Sequence, residues 1–337
     1  MKKWIGYEQG INLGGWLSQC CHTKEHYDSF ITEEDIKKIS SWGLDHVRVP
    51  VDYNLVENED GTYRPEGFLY IQKVIDWCGR HDLNMILDLH KTAGYSFDAG
   101  EKEEGFFDSE EYQERFYKLW EEFARRYGRY EHRLAFELLN EVVDKELSKP
   151  WNEISAKCIE RIRKIVPSIS ILVGSYWNNC AAAVKDLELP QDKNIIYNFH
   201  CYEPLIFTHQ GAGWVAGMKE DFRISMSASY QEVLDETEKL LPQQTDIFPK
   251  NLDREKPINE QFFIEFFAEA FEVAKERGTS LYCGEYGVID RAEPKDAALW
   301  VGYINKAFDY YGIGRAIWNY KAMDYEVTKQ VKKVICR

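Results

Sequence analysis

Leu134-Ala135-Phe136-Glu137-Leu138-Leu139-Asn140-Glu141 opens on apolar residues and ends on an amide beside a carboxyl. An apolar run of this length between two helical patterns reads as a buried strand. Side chains alternate between the faces of a strand. Asn140 and Glu141 therefore share one pocket only where the strand ends and the backbone turns. A short strand that presents polar groups at its C-terminal end points to an α/β barrel, whose active site is built from strand ends.

The same rhythm recurs on both sides of this stretch. Strands are expected at 9–14, 44–50, 83–90, 169–174, 194–202, 279–285 and 314–318. Between them lie helical patterns from Thr32 to Gly43 and at 68–81, 109–127, 152–166, 181–187, 259–277 and 294–311. Thr32 with Asp35 opens the first helix as a cap, and Pro167 stops the one before it. Eight strands alternating with helices imply a parallel sheet closed into a (β/α)8 TIM barrel. Such a barrel takes ~250 residues. The 337 residues here thus leave room for insertions within a single catalytic domain, 1–337. Segment 203–257 is too long for an ordinary βα loop. Residues 230–241 within it carry helical spacing, so a helical subdomain inserted after strand six is expected over the cleft. A short terminal helix is expected near 327–334, and a glycine- and acid-rich loop at 91–108.

Charge and composition exclude several functions. The net charge of −15 argues against nucleic acid, which demands a basic stripe, and against an anionic membrane surface. No run approaches the ~18 apolar residues of a membrane span. Aromatic residues reach 15%, a composition that suits stacking against flat ligand faces. The residues after Met1 form no signal-like apolar run, so a cytoplasmic protein is expected, or a secreted one if a signal was removed. The eight cysteines form no C-x-x-C pair, and buried reduced thiols are expected.

The strand ends carry Arg48, His90, Asn140, Glu141, His200, Tyr202, Glu285 and Trp318. Each alone has a bland reading as a rim ion pair, a core histidine or a packed indole. In a barrel all of them converge on one rim. Two carboxyls at the ends of strands four and seven match glycoside hydrolysis, which needs a proton donor and a second carboxyl across the sugar. Their surroundings must differ, so that one is protonated while the other is ionised. Arg48 and Tyr202 are placed to hold Glu285 as the anion, and His200 and Asn140 to position Glu141. Trp318 offers a face to a pyranose ring. Glu137 shares the strand face four residues earlier and is expected deeper in the barrel, against Arg48. This chemistry requires no metal and no cofactor.

The motifs Leu139-Asn140-Glu141, His200-Cys201-Tyr202, Gly284-Glu285-Tyr286-Gly287 and Ile317-Trp318-Asn319-Tyr320, with Arg48 and His90, resemble the family 5 glycoside hydrolases, retaining (β/α)8 enzymes. The resemblance spans almost the whole chain. The stretch Phe207-Thr208-His209-Gln210-Gly211-Ala212 and the insertion after strand six resemble clostridial-type endoglucanases of subfamily 37. The resemblance implies that Glu141 is the acid/base and Glu285 the nucleophile. It implies that Asn140 bonds the 2-hydroxyl, His90 a neighbouring hydroxyl, and that Trp318 forms the sugar platform. Lys91 departs from the pattern, since many relatives carry a second His there. The implied activity is that of a retaining endo-β-1,4-glucanase (a cellulase) on cellulose-type or mixed-linkage β-glucan, working as a monomer without nucleic-acid or membrane partners. A β-mannanase or glucomannanase is the alternative with the same mechanism. A metal-dependent barrel hydrolase lacks its His-x-His or bridging-Lys signature, and a non-catalytic sugar-binding barrel would have lost one glutamate. The insertion is expected to place Trp214 near a distal sugar.

Overall fold

In the computed structural model, which describes residues 1–98 and 100–336, eight parallel strands close on themselves in sequence order. They are β1 (Gly10–Asn12), β2 (His46–Asp52), β3 (Asn84–Lys91), β4 (Leu134–Glu137), β5 (Ser170–Gly174), β6 (Ile195–Cys201), β7 (Ser280–Tyr286) and β8 (Gly314–Ile317). β1 pairs with β2 on one side, Gly10 against His46, and with β8 on the other, Gly10 against Ala316. Of the loop expected at 91–108, Ala99 lies outside the described residues, as does Arg337.

The alternation of side chains sorts the strands into two layers. Val47, Val49, Val51, Leu87, Leu89, Phe136 and Phe199 face outward into a core shared with the helices. Inside, Tyr7, Ile86, Ala135, Leu172, Ile196, Tyr282 and Ala316 form an apolar plug, with Trp4 stacked on Tyr7 at 3.9 Å beneath it. Two residues further along β3, β4 and β6 the inward positions become Asp88, Glu137 and Asn198, all fully buried. The interior therefore turns polar toward the C-terminal ends of the strands. Helical indoles tie the outer layer to those ends. Trp120 donates to the Leu138 carbonyl at 3.0 Å, Trp151 to Gly174 at 2.8 Å and Trp300 to Glu203 at 3.2 Å. Each such bond contributes about 1 kcal/mol, and its loss would strand a buried carbonyl.

Most helices fall where the periodicity places them. The helix Ser148–Arg163 starts earlier than the expected 152, because Pro150 lies in its first turn, where no N–H is required. Two strands fall short of the expected length by half. β1 covers only Gly10–Asn12, and β4 ends at Glu137. Beyond Glu137 the chain crosses from one neighbour to the other. The Leu138 N–H still reaches Leu172 O on β5 at 3.3 Å, whereas the Asn140 N–H reaches Leu89 O on β3 at 3.1 Å.

Segment 203–257 contains the helices Leu205–Thr208 and Tyr230–Leu240. The second opens with a capping box, Ser229 with Glu232. Tyr230 is buried against Phe262, and its hydroxyl donates to Pro249 O at 2.6 Å. Asp296 on the helix Pro294–Tyr311 accepts from Ser225 Oγ at 2.7 Å and Met226 N at 3.0 Å. The terminal helix Lys329–Ile335 packs on that same helix. All eight cysteines are unpaired. Five of them are buried, whereas Cys21 is exposed.

The pairing of β6 with β7 slips by one residue: Phe199 faces Cys283, but His200 faces Glu285. Gly284 is the extra residue, and such a bulge re-aims the side chain that follows it. Cys283 belongs to the outer core. Simple alternation would send Glu285 outward with it, and the bulge turns it inward instead. The bulge leaves no room for a side chain at 284, where a Cβ would stand 2.8 Å from Asn198 Oδ1 and 3.0 Å from His200 Nε2. We expect Gly284→Ala to destabilise the protein by about 1–3 kcal/mol, read as a lowered urea midpoint. An unchanged midpoint would show that the bulge tolerates a side chain.

Candidate active site

The polar strand ends open into one cleft of about 700 Å³. His90, Asn140, Glu141, His200, Tyr202, Glu285 and Trp318 line it, and Arg48 lies fully buried beneath. The structure thus gathers all eight strand-end residues.

Arg48 organises the floor. Its Nε donates to Glu137 Oε2 at 2.7 Å and Nη2 to Glu137 Oε1 at 2.8 Å, a two-pronged contact. Nη2 also donates to Asn140 Oδ1 at 2.8 Å. Nη1 donates to Asn12 Oδ1 at 2.9 Å and to Glu285 Oε1 at 2.7 Å. Asp88 Oδ2 lies 3.0 Å from Nη2 and 2.6 Å from His90 Nδ1. Glu137 is completed by Asn198 Nδ2 at 2.8 Å.

Burial alone would push the Glu285 carboxyl up. The charges of His200, Arg48 and His90 and the Tyr202 hydroxyl outweigh it and hold Glu285 below the ordinary glutamate range. Tyr202 donates to Glu285 Oε2 at 2.9 Å. Glu137, by contrast, is raised, because its burial outweighs the pull of Arg48. Burial opposes protonation of His200 and His90, yet Glu285 beside the first and Asp88 beside the second raise both.

Glu141 sits in different company. His200 Nδ1 lies 2.7 Å from its Oε1, and Asn178 Nδ2 donates to its Oε2 at 2.9 Å. The Tyr95 hydroxyl donates to the Glu141 carbonyl at 2.8 Å. Carboxylate oxygens of Glu141 and Glu285 and a ring nitrogen of His200 all lie within 4.8 Å of one another. That spacing matches the close pair of retaining glycosidases, ~5–5.5 Å, and not the inverting range of roughly 6.5–9.5 Å. Trp318 stacks parallel to His90 with ring centres 5.9 Å apart, and Gly14 beneath it has no Cβ to block the indole.

Lys91 points away from the catalytic pair. Its Nζ meets Asp98 at 2.6 Å and Glu101 at 2.7 Å and so pins the loop that follows β3. That loop sets Phe97 edge-on against His90 at 4.9 Å. From the inserted segment, Trp214, Val215, Gln244 and Ile247 line the cleft, and Trp214 is 56% exposed. Sequence reasoning missed Asn12, Asn178 and Asn198. The Asn178-Asn179 doublet at the end of β5 was the available signal, since Asn accepts turn backbones and carries both a donor and an acceptor.

A closed (β/α)8 barrel whose mouth holds two glutamates at this spacing, one fixed as an anion by Arg48 and Tyr202, defines a glycoside hydrolase. Residues 6–324 match the model of the cellulase family, glycosyl hydrolase family 5. The chain is 49% identical over 315 residues to Cellodextrinase A of Ruminococcus flavefaciens, covering 94% of this chain and 86% of that protein. It is 36% identical over 334 residues to Endoglucanase C of Acetivibrio thermocellus, covering 98% and 96%. Among solved structures, Thermotoga maritima Cel5A in complex with cellobiose superposes with a TM-score of 0.76 at 23% identity, covering 98% of this chain and 97% of that one, a likeness of fold. The chain belongs to glycosyl hydrolase family 5, and its substrate is a glycan.

Removing the Tyr202 hydroxyl takes a donor from the Glu285 anion and must raise its pKa. In Tyr202→Phe we expect the acid limb of kcat/KM to move to higher pH. The lowered carboxyl keeps Glu285 ionised to below its ordinary value in the native protein, so the variant loses activity first on the acid side. A limb that stays in place would show that this bond does not tune Glu285.

Proposed function

We propose that Glu141 serves as acid/base and Glu285 as nucleophile in a retaining endo-β-1,4-glucanase that cleaves cellulose-type or mixed-linkage β-glucan. The observation that carries the reading is the pair of carboxylates within 4.8 Å, set in unlike surroundings. Glu285 attacks the anomeric carbon while Glu141 gives its proton to the leaving glycosidic oxygen, and the C1–O4 bond breaks. A glycosyl ester on Glu285 results. Glu141, now a carboxylate, then takes a proton from water, whose oxygen attacks C1 and releases Glu285. Arg48 and Tyr202 each hold one oxygen of Glu285, which keeps the nucleophile charged and fixes its rotamer.

Asn140 spends its carbonyl oxygen on Arg48, which leaves its amide hydrogens for the sugar 2-hydroxyl. Trp318 supplies the flat face beneath the ring, and His90, oriented by Asp88, reaches a neighbouring hydroxyl. Trp214 at the rim serves a more distant sugar. Likeness to proteins named a cellodextrinase and an endoglucanase supports β-1,4-linked glucose chains as the substrate.

Glu141→Gln should cost on the order of 10²–10⁴-fold on barley β-glucan, the usual worth of general acid catalysis. A dinitrophenyl cellobioside needs little protonation, so its cleavage survives and the glycosyl-enzyme accumulates. Stopped-flow should show a burst of dinitrophenol, and azide should speed turnover and yield a β-azide. Glu285→Gln should lose both substrates without a burst. A burst in Glu285→Gln alone would reverse the two roles, and full activity of either variant on β-glucan would sink the reading.

A further inference from the structure

The turn after β5, like the turn Ala322–Asp324 beyond β8, carries three left-handed residues in a row at the cleft. Trp177, Asn178 and Asn179 follow one another in the left-handed region, at φ of 55°, 52° and 56°. Asn adopts this conformation readily, but a run of three that includes a Trp is unfavourable on its own. Neighbouring backbone holds it in place. The Trp177 N–H reaches Val143 O at 3.1 Å and the Asn178 N–H reaches Val142 O at 3.0 Å, while Asn179 Nδ2 donates to Asn140 O. The turn is thereby fastened to the two residues that follow Glu141. The product of this construction is one contact: Asn178 Nδ2 on Glu141 Oε2 at 2.9 Å.

The two oxygens of Glu141 are not equivalent. Oε1 faces His200, which is buried. Oε2 faces Asn178, which is exposed and lines the cleft beside Trp177. Oε2 is therefore the oxygen that an incoming glycosidic bond can reach, and in the free enzyme an amide occupies it. A sugar on the leaving-group side must take over the oxygen before Glu141 acts as acid.

We propose that Asn178 is a positioning residue for Glu141, holding its cleft-facing oxygen in the free enzyme and yielding it to the glycosidic oxygen when a sugar enters on the leaving-group side. The proposal rests on Glu141 being the acid/base. It predicts that Asn178, once displaced, is free to bond the leaving sugar, and that it bonds an acceptor sugar when the reaction runs toward transfer. The titratable and charged groups around Glu141 are His200, Tyr202 and Glu203 from the end of β6, Glu285 from β7, Tyr95 from the loop after β3, and Arg48 behind Asn140. The β5 turn adds a neutral amide, and its replacement by a charge is a clean perturbation.

Two variants respect the left-handed backbone. Asn178→Asp keeps the shape and puts a carboxylate against Glu141, and Asn178→Gly removes the side chain. The alkaline limb of kcat/KM reports the acid of the free enzyme. With cellotetraose, Asn178→Asp should move that limb up by about one to two pH units, as for two carboxylates sharing a site. Asn178→Gly adds no charge and is the control for that shift. With cellobiose as acceptor, Asn178→Gly should lower the ratio of transfer to hydrolysis about fivefold, the worth of one hydrogen bond. A fall in total activity alone, from poorer folding, would move neither the limb nor the ratio. The burst assay on Glu141→Gln tests the acid independently. If Glu141 passes it and the alkaline limb of Asn178→Asp stays in place, this proposal alone is overturned.

Discussion

A single buried guanidinium sets the terms for everything above it. Arginine carries five N–H donors in a rigid fork. Arg48 uses them on Glu137 twice, Asn12, Asn140 and Glu285, with no exposure to solvent. These partners belong to β1, β4, the turn after β4, and β7, so one side chain from β2 connects opposite walls of the barrel. Removing such a charge from water is costly, and the cost is offset only when good geometry and further hydrogen bonds surround it. The carboxylates of Glu137, Asp88 and Glu285 supply the compensation. A lysine at this position would present a point charge without the fork and would leave several of these acceptors unmatched. The charge state of Glu285 is thus a property of the barrel interior as much as of the cleft.

The outer layer serves the same end by other means. The rim of a barrel is where parallel strands stop pairing, and backbone carbonyls there need new donors. Trp120, Trp151 and Trp300 provide them at β4, β5 and just beyond β6 while filling space between helix and sheet. A ring too large for most core positions thereby satisfies a buried polar group and fixes the height of a strand end. The side chains that leave those ends, Glu141 among them, start from a fixed base.

Much of this could be read from the chain itself. The helices and strands carry strong periodicity, and polar residues at the ends of apolar runs pointed to one rim. The parts that could not be read are those where the backbone departs from a regular period. Glu285 faces inward because Gly284 is an extra residue, whereas alternation counted from the outward Cys283 would turn it outward. Asn140 enters the cleft three residues after the inward Glu137, because β4 has already ended. Asn178 reaches Glu141 through a left-handed turn that the Asn178-Asn179 doublet hints at, but whose aim no periodicity gives. Lys91 departs from the family pattern without entering the sugar site, since two acids of the loop behind it take up its charge.

The pairing of β1 with β8 has a consequence for how the molecule comes into being. Gly10 lies against Ala316, and Asn12 donates to the Gly284, Ala316 and Ile317 carbonyls near the far end of the chain. The last two strands also bring Glu285 and Trp318. During synthesis the ring stays open until β8 is available, and Arg48 waits without one of its carboxylates. Contacts so distant along the chain form slowly, because the long loop between them must first be closed. The site therefore matures with the last strands to arrive, and a nascent chain lacking β7 and β8 has Glu141 but not the carboxylate that faces it.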